Sequence, residues 1–542
     1  MPLLMLGAPL TATLPGRAAE RIYVSYSVFS RSLSVRELAT FAREGTLSPE
    51  LAVYARYLKP QQLAQLREGL QQKVDFPAIA LSQFLYSPSG EVFLSRGSRL
   101  VQTPVGQGSF YALRAALILA ASDPEGLTAI SILRHYPNPG MVVNLQEVVG
   151  VVNDVNRVFR ETDAITEAIL AVSQGQSLPE AEANQLRQRE QPGPLKWQKT
   201  TLDLEDRSAK RLQYTGKTRS FPIDLYLPEA SQTPQPVVVI SHGLNSDRQS
   251  YAYLAEHLAS YGYGVIVPEH PGSNKKRLQS LFEGFGQDVS EPVEFLDRPL
   301  DIQFLLNAVQ QLVNADPQLQ DRLDLQNVGI IGQSYGGYTA LAVAGAALNF
   351  GQMRQDCAQN LDTTLNISLV LQCQALRLPD APYELADPRI KAAIAINPFT
   401  SSIFGAKNLA QIQVPTLIVT GSADVVAPAA AEQIQPFGAL TTPQKYLALI
   451  QNSTHFSTIA PSRGEVASIA DFQGVEGPSP DLARNYLKAL SLTFLQRYLR
   501  NQLADQALLS PAGAATLSRA PLPLSIVTTL PAKVPPAPEV AP

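Results

Sequence analysis

The chain has 542 residues, of which 45% are hydrophobic and 17% charged, with 43 Lys and Arg against 47 Asp and Glu. This is a globular composition, long enough for two domains with tails and able to bury a large core. A formal net charge of −4 gives no field that would gather nucleic acid or an anionic membrane surface, so polyanion binding is set aside.

Residues 1–18 are apolar, from Met1-Pro2-Leu3-Leu4 to Gly16-Arg17-Ala18, and end in small residues like a cleavage site. They read as a truncated signal peptide, since the basic start is missing, and a plain frayed terminus is the competing reading. Export, periplasmic or secreted, is therefore expected. The most apolar later stretch, residues 111–121, is short and carries Arg114, so no transmembrane helix is expected.

Residues 19–176 read as a mostly α-helical N-terminal domain. An extended piece at 22–28 comes first, and Ser34 with Glu37 at capping-box spacing then opens a helix. Pro49 and Pro60 open two more, because proline's missing donor costs nothing at a first helical position. Segments 109–121 and 145–172 continue the pattern. His135, beside the Pro137-Asn138-Pro139-Gly140 turn, is a surface or core residue on this reading. No chemistry is legible in the region. Residues 177–194, rich in Gln, Glu, Ala and Pro, read as a linker.

From 195 to 505 short strands alternate with helices, which argues for a mostly parallel sheet covered on both faces. Strands are expected near 200–204, 223–227, 237–240, 264–267, 328–333, 392–396, 415–419 and 446–450. Helices are expected near 250–261, 300–313 and 483–500. Residues 506–542 drift to Ala, Pro, Leu and Ser and read as a tail, disordered except for an extended piece at 524–527.

The chemistry gathers around Gly332-Gln333-Ser334-Tyr335-Gly336, a GxSxG pattern between a β-branched run and a helix of small residues. That context makes Ser334 the expected nucleophile on a sharp strand-to-helix turn, whose neighbours must be small. A base has to follow it in the chain, and His455, on the loop after the last strand, meets that order. Asp424 directly follows the strand 415–419 and is the expected acid, with Asp387 in reserve. Backbone N–H groups of Leu244, after Ser241-His242-Gly243, and of Tyr335, after the nucleophile, are the expected oxyanion donors. His242 is assigned to loop structure.

These motifs, in this order over roughly 195–501, resemble the α/β-hydrolase superfamily, especially its branch similar to platelet-activating-factor acetylhydrolases and dienelactone hydrolases. The resemblance implies an α/β-hydrolase fold with a Ser334-His455-Asp424 triad and no metal or organic cofactor. A dienelactone hydrolase would carry cysteine as its nucleophile, so serine argues against that narrower activity. The segments Ala19-Glu20-Arg21-Ile22-Tyr23-Val24-Ser25-Tyr26 and Phe110-Tyr111-Ala112-Leu113-Arg114-Ala115-Ala116-Leu117 resemble a domain of unknown function in exported cyanobacterial hydrolases.

Residues 349–386 are too long for a simple connection, and Leu361, Leu365, Leu369 and Cys373 recur at helical spacing. They read either as a lid stapled by Cys357 and Cys373 over an apolar acyl pocket, or as an inert excursion. A second insertion, 272–297, carries Lys275-Lys276-Arg277 and reads as a solvated loop. The leading functional reading is a serine hydrolase of small-molecule or lipid-like carboxylic esters, working through an acyl-enzyme. A hydrolase fold reused for binding, and an amidase or peptidase with the same triad, stay open beside it.

Overall fold

In the computed structural model residues 19–534 are described, apart from 27–28, 75–76, 105–107, 230–232, 286–287, 318, 321, 362–363, 462–474 and 533. The expected signal peptide and the proline-rich end after 534 lie outside the described residues. The chain divides into two units, one running to Asn153 with Phe282–Gln287 added, the other holding the remainder.

The first unit is built on a hairpin of β1 (Arg21–Tyr26) and β2 (Phe29–Ser34). It joins two shorter strands, β3 (Val101–Gln102) and β4 (Gly140–Asn144), in the order β2-β1-β4-β3. The helical expectation for this region thus needs a four-stranded sheet added to it. Its strands are brought together from far along the chain, a pairing that local periodicity does not carry. Helix Val35–Glu44 follows Ser34 as anticipated, but the Ser34 side chain makes no cap bond, and the Ser34 N–H donates to Glu50 instead of Glu37. Pro49 and Pro60 do open helices, Pro49–Ala55 and Pro60–Gln71. The helix Leu145–Ser173 runs across the division between the units.

The second unit carries a nine-stranded sheet. Its strands are β5 (Trp197–Asp206), β6 (Arg219–Pro228), β7 (Gln235–Ser241), β8 (Gly264–Pro268), β9 (Leu323–Gln333), β10 (Ile390–Ile396), β11 (Thr416–Gly421), β12 (Lys445–Ile450) and β13 (Leu524–Val527). The order is β13-β12-β11-β10-β9-β7-β8-β6-β5. From β8 to β12 all neighbours are parallel, while β5, β6 and β13 join antiparallel. The central strands are solid Val, Ile, Leu and Ala because both faces are covered, with Val238, Ile240 and Ile394 packed on one side and Val237, Val239 and Ile330 on the other. A parallel sheet delivers its loops to one end, and this brings the ends of β7, β9, β10, β11 and β12 together.

Three boundaries differ from the sequence reading. The expected linker 177–194 holds a helix, Glu180–Gln188, whose Ala183 and Leu186 are buried, and Arg189 donates to Asp505 at 2.7 Å. The expected tail is part of the fold as far as it is described: helix Pro511–Leu517 precedes β13, and Leu508, Leu509, Leu517, Leu522 and Ile526 enter the core. Composition averaged over Ala, Pro and Ser had masked those leucines. The helix expected from residue 300 starts at Glu294 and runs to Ala315 with Pro299 inside it. A proline there cannot donate back to the Phe295 carbonyl. That oxygen is satisfied instead by the Tyr338 hydroxyl at 2.6 Å.

The insertion forms two helices, Phe350–Asn360 and Ile367–Gln374, joined by a Cys357–Cys373 disulfide across 16 residues. Leu361, Leu365 and Leu369 do not share one helix, and of the three only Leu369 is fully buried. Ser368 N–H donates to the Val426 carbonyl, and the buried Glu432 carboxylate accepts from Gln372 and Asn366, so the second helix is fastened to the sheet end. Closing a loop of this length restricts the unfolded chain by about 3 kcal/mol. Reducing the protein under native conditions, or replacing Cys373 by Ser, is expected to lower the unfolding free energy by about that amount in a urea titration.

Candidate active site

At the end of β9 the chain turns so sharply that Ser334 adopts φ 55° and ψ −113°. A non-glycine residue in this region is strained and persists only where its surroundings hold it. Here the surroundings are glycines. A Cβ on Gly332 would stand 1.8 Å from the Gly336 carbonyl oxygen, and one on Gly336 would stand 2.0 Å from that of Ser241. The Ser334 N–H is pinned to the Ile396 carbonyl at 2.8 Å, and every residue of the helix Tyr335–Val343 is buried.

Asp424 and His455 meet on the loops after β11 and β12. The imidazole Nδ1 lies 2.7 Å from Asp424 Oδ2, while Asp424 Oδ1 accepts the N–H groups of Val426 and Ala427. A carboxylate can only accept, so it holds the proton on Nδ1 and leaves the lone pair on Nε2. Two side chains tie this loop to the elbow. Gln333, immediately before Ser334, donates to the His455 carbonyl at 3.1 Å. Asn397, at the end of β10, accepts from Gly421 N–H at 3.0 Å and donates to the Thr454 carbonyl at 3.3 Å. Neither residue was singled out from sequence for this role, because an amide that bridges loops leaves no spacing signal.

The loop after β7 closes the other side. His242 Nε2 accepts from His270 N–H at 3.0 Å, so the ring proton sits on Nδ1, which donates to the Gly243 carbonyl at 2.8 Å. Burial and then the Arg298 charge hold His242 well below its usual range, and it is neutral. Arg298, wholly buried, donates to the carbonyls of His242 at 2.7 Å and Gly243 at 3.3 Å, and its guanidinium lies 4.4 Å from the Tyr335 ring centre. The two expected oxyanion donors, at Leu244 and Tyr335, thus share one neighbour.

Behind Arg298 lies a buried ionic cluster that the sequence reading did not find. Arg211 reaches Asp206, Asp297 and Asp301, and Arg219 reaches Glu294, Asp297 and Asp301. Three guanidinium groups, counting Arg298, face four carboxyls. Burial, helped by the neighbouring Glu294 and Asp301 carboxylates, pushes Asp297 up to about 7 despite Arg219 and Arg211 beside it. His270 joins the cluster through Asp301 at 2.8 Å and meets Ser241 Oγ at 3.0 Å.

Among the remaining candidates, Asp387 pairs with Arg389 at 2.6 Å, a turn carboxylate and not a partner of His455. His135 pairs with Asp123 at 2.9 Å in the first unit, and His257 is buried in its helix, its value lowered to about 3 by desolvation. The second insertion is more ordered than expected: Lys275 opens a helix and pairs with Asp247 at 2.6 Å, and Arg277 Nε donates to the Asp288 carbonyl. Among the described residues no group of three or more His, Cys, Asp or Glu is arranged to hold a metal ion, and no helix is long and apolar enough to cross a membrane.

A parallel sheet with a strained serine elbow after one strand and a carboxylate-bound histidine after two others defines a class, and the chain belongs to the α/β-hydrolase superfamily. Residues 236–352 match the α/β hydrolase fold, 383–471 match a family described as PET hydrolase-like, and 18–144 match an α/β hydrolase of unknown function. Similar proteins include Cutinase est1 of Thermobifida alba, 24% identical over 43% of this chain and 57% of that protein. Cutinase 1 of Thermobifida cellulosilytica is also 24% identical, over 44% of this chain and 67% of that protein. The chain spans little more than half the length of the first of these relatives.

The elbow tolerates no added carbon. Gly336→Ala is expected to lower the thermal midpoint by an amount equivalent to about 1–3 kcal/mol, since the new methyl meets backbone that cannot swing away. Asp297 yields a pH signature. Its folded value lies above the unfolded 3.8, so the folded state holds the proton more tightly. The stability this contributes is full below about pH 4 and is lost as pH rises through about 7. The thermal midpoint is expected to fall between about pH 4 and pH 7, and Asp297→Asn, though less stable at low pH, to flatten that fall.

Proposed function

We propose that the protein is a serine hydrolase of carboxylic esters. Ser334 Oγ attacks the ester carbonyl, His455 Nε2 takes the hydroxyl proton and passes it to the leaving alkoxide, and Asp424 holds the imidazole in the required tautomer. The N–H groups of Leu244 and Tyr335 receive the developing oxyanion. Water, deprotonated by the same histidine, then releases the acid from the acyl-enzyme.

The observation that carries this reading is the Asp424–His455 bond at 2.7 Å on a loop whose His455 carbonyl is held by Gln333, the residue next to the strained Ser334. The likeness to cutinases and to a PET hydrolase-like family supports esters over other acyl groups. We take the insertion 349–386 as a lid on the acyl side, on the strength of its fastening to Val426, two residues from the acid. The disulfide supports an oxidising compartment, hence export.

A fluorophosphonate probe is expected to label the wild type and not Ser334→Ala. Asp424→Asn is expected to lower kcat by about three to four orders of magnitude on p-nitrophenyl esters. Parallel assays on an ester and its amide analogue, with acyl chains from acetyl to palmitoyl, would set the substrate range. Label on the wild type at residues other than Ser334 would overturn the assignment.

A further inference from the structure

The Gly243–Leu244 peptide presents its C=O to two side chains and its N–H to the opposite side, because a trans peptide turns the two groups apart. The Gly243 carbonyl accepts from His242 Nδ1 at 2.8 Å and from Arg298 Nη2 at 3.3 Å. The preceding peptide is held as well, since Arg298 Nη1 donates to the His242 carbonyl at 2.7 Å. The following peptide is held by the bond from Asn245 N–H to the Ser273 carbonyl at 2.8 Å, with Asn245 at φ 56°. Three consecutive peptide planes are therefore fixed, and the middle one carries the Leu244 donor.

Arg298 is itself fixed. Its Nε donates to Ser273 Oγ at 2.9 Å, and that hydroxyl donates to Glu294 at 2.6 Å. Desolvation lowers the guanidinium only to about 10, so it stays charged at neutral pH. A cation bonded to a peptide oxygen also draws electron density from the amide, which makes the N–H at the far end of that peptide a stronger donor. The same guanidinium rests on the ring of Tyr335, whose N–H is the second proposed donor.

We propose that Arg298 is a positioning residue of the oxyanion hole: with His242 it grips the Gly243 carbonyl, aims and polarises the Leu244 N–H, and braces Tyr335 from the same point. This rests on the hydrolase reading given above. His242 serves as a donor through Nδ1 and takes no part in proton transfer, because its Nε2 is occupied by the His270 N–H.

The test compares wild type with Arg298→Lys, His242→Leu and His242→Asn, each checked for folding by thermal melting. Lysine keeps the charge but cannot span both carbonyls. Leucine and asparagine both remove the Nε2 acceptor, and only asparagine keeps an N–H near the Nδ1 position. The readouts are kcat and KM on p-nitrophenyl butyrate and the inhibition constant of a trifluoromethyl ketone, whose adduct with serine carries an oxyanion.

Arg298→Lys and His242→Leu are expected to lower kcat about 10- to 100-fold with KM within about twofold, and to weaken the ketone by a similar factor. His242→Asn is expected to recover most of the loss. Should Arg298→Lys unfold, the histidine pair still decides, since the His242 side chain bonds only the His270 N–H and the Gly243 carbonyl and none of the cluster's charged groups. Folded Leu and Lys variants with wild-type kcat and ketone affinity would overturn the clamp alone. A wild type without fluorophosphonate label at Ser334 would overturn the hydrolase reading and the clamp with it.

Discussion

The contact on which this site depends is the approach of two backbones with nothing between them, Gly336 against the carbonyl of Ser241. It lets the helix after the elbow pass directly against the end of the strand that feeds the oxyanion loop. Two residues before Gly336, Ser334 holds its strained conformation. The strain is offset by burial, because the whole helix from Tyr335 to Val343 is packed into the core. Remove the close approach and the serine, the Leu244 loop and the aromatic packing around Tyr335 lose their common reference.

Charge supplies the second layer of rigidity. Three arginines and four carboxyls are buried together behind the loop, and such a cluster is costly to desolvate, so it adds little net stability. What it contributes is geometry. Each guanidinium has several bonds in a fixed fork, and a loop hung on Arg298 cannot drift without breaking bonds to Glu294 and Ser273 as well. A hydrophobic replacement would fill the space without aiming a carbonyl.

Sequence made the elbow and the central strands legible for one physical reason: both are local. β-Branched runs covered on two faces read as parallel strands, and GxSxG between strand and helix reads as a sharp turn. The loop order of Asp424 and His455 followed from the strands. What stayed hidden was non-local. Asn397 and Gln333 bridge loops, Arg298 lies behind a proline that argues against a helix there, and strands β1 and β4 are far apart in the chain. Leucines 508, 509, 517 and 522 were obscured by alanine and proline around them, although each is buried.

The cluster contains a second serine, histidine and aspartate bonded in series, Ser241, His270 and Asp301. Atom for atom the string offers the same acceptor, tautomer and hydroxyl as a hydrolytic triad, so connectivity cannot distinguish the two. Access does. All three members of this string are 0% exposed, whereas Ser334 keeps 8% and His455 4%. Burial, followed by the charge of Arg298, also drives His270 well below its usual range, so the ring resists the proton that a base must accept. Chain order agrees, since here the histidine precedes the aspartate, the reverse of the order Ser334, Asp424, His455. The same three side-chain types serve to brace a loop when sealed from solvent, and suit chemistry only where a substrate carbonyl can reach the hydroxyl.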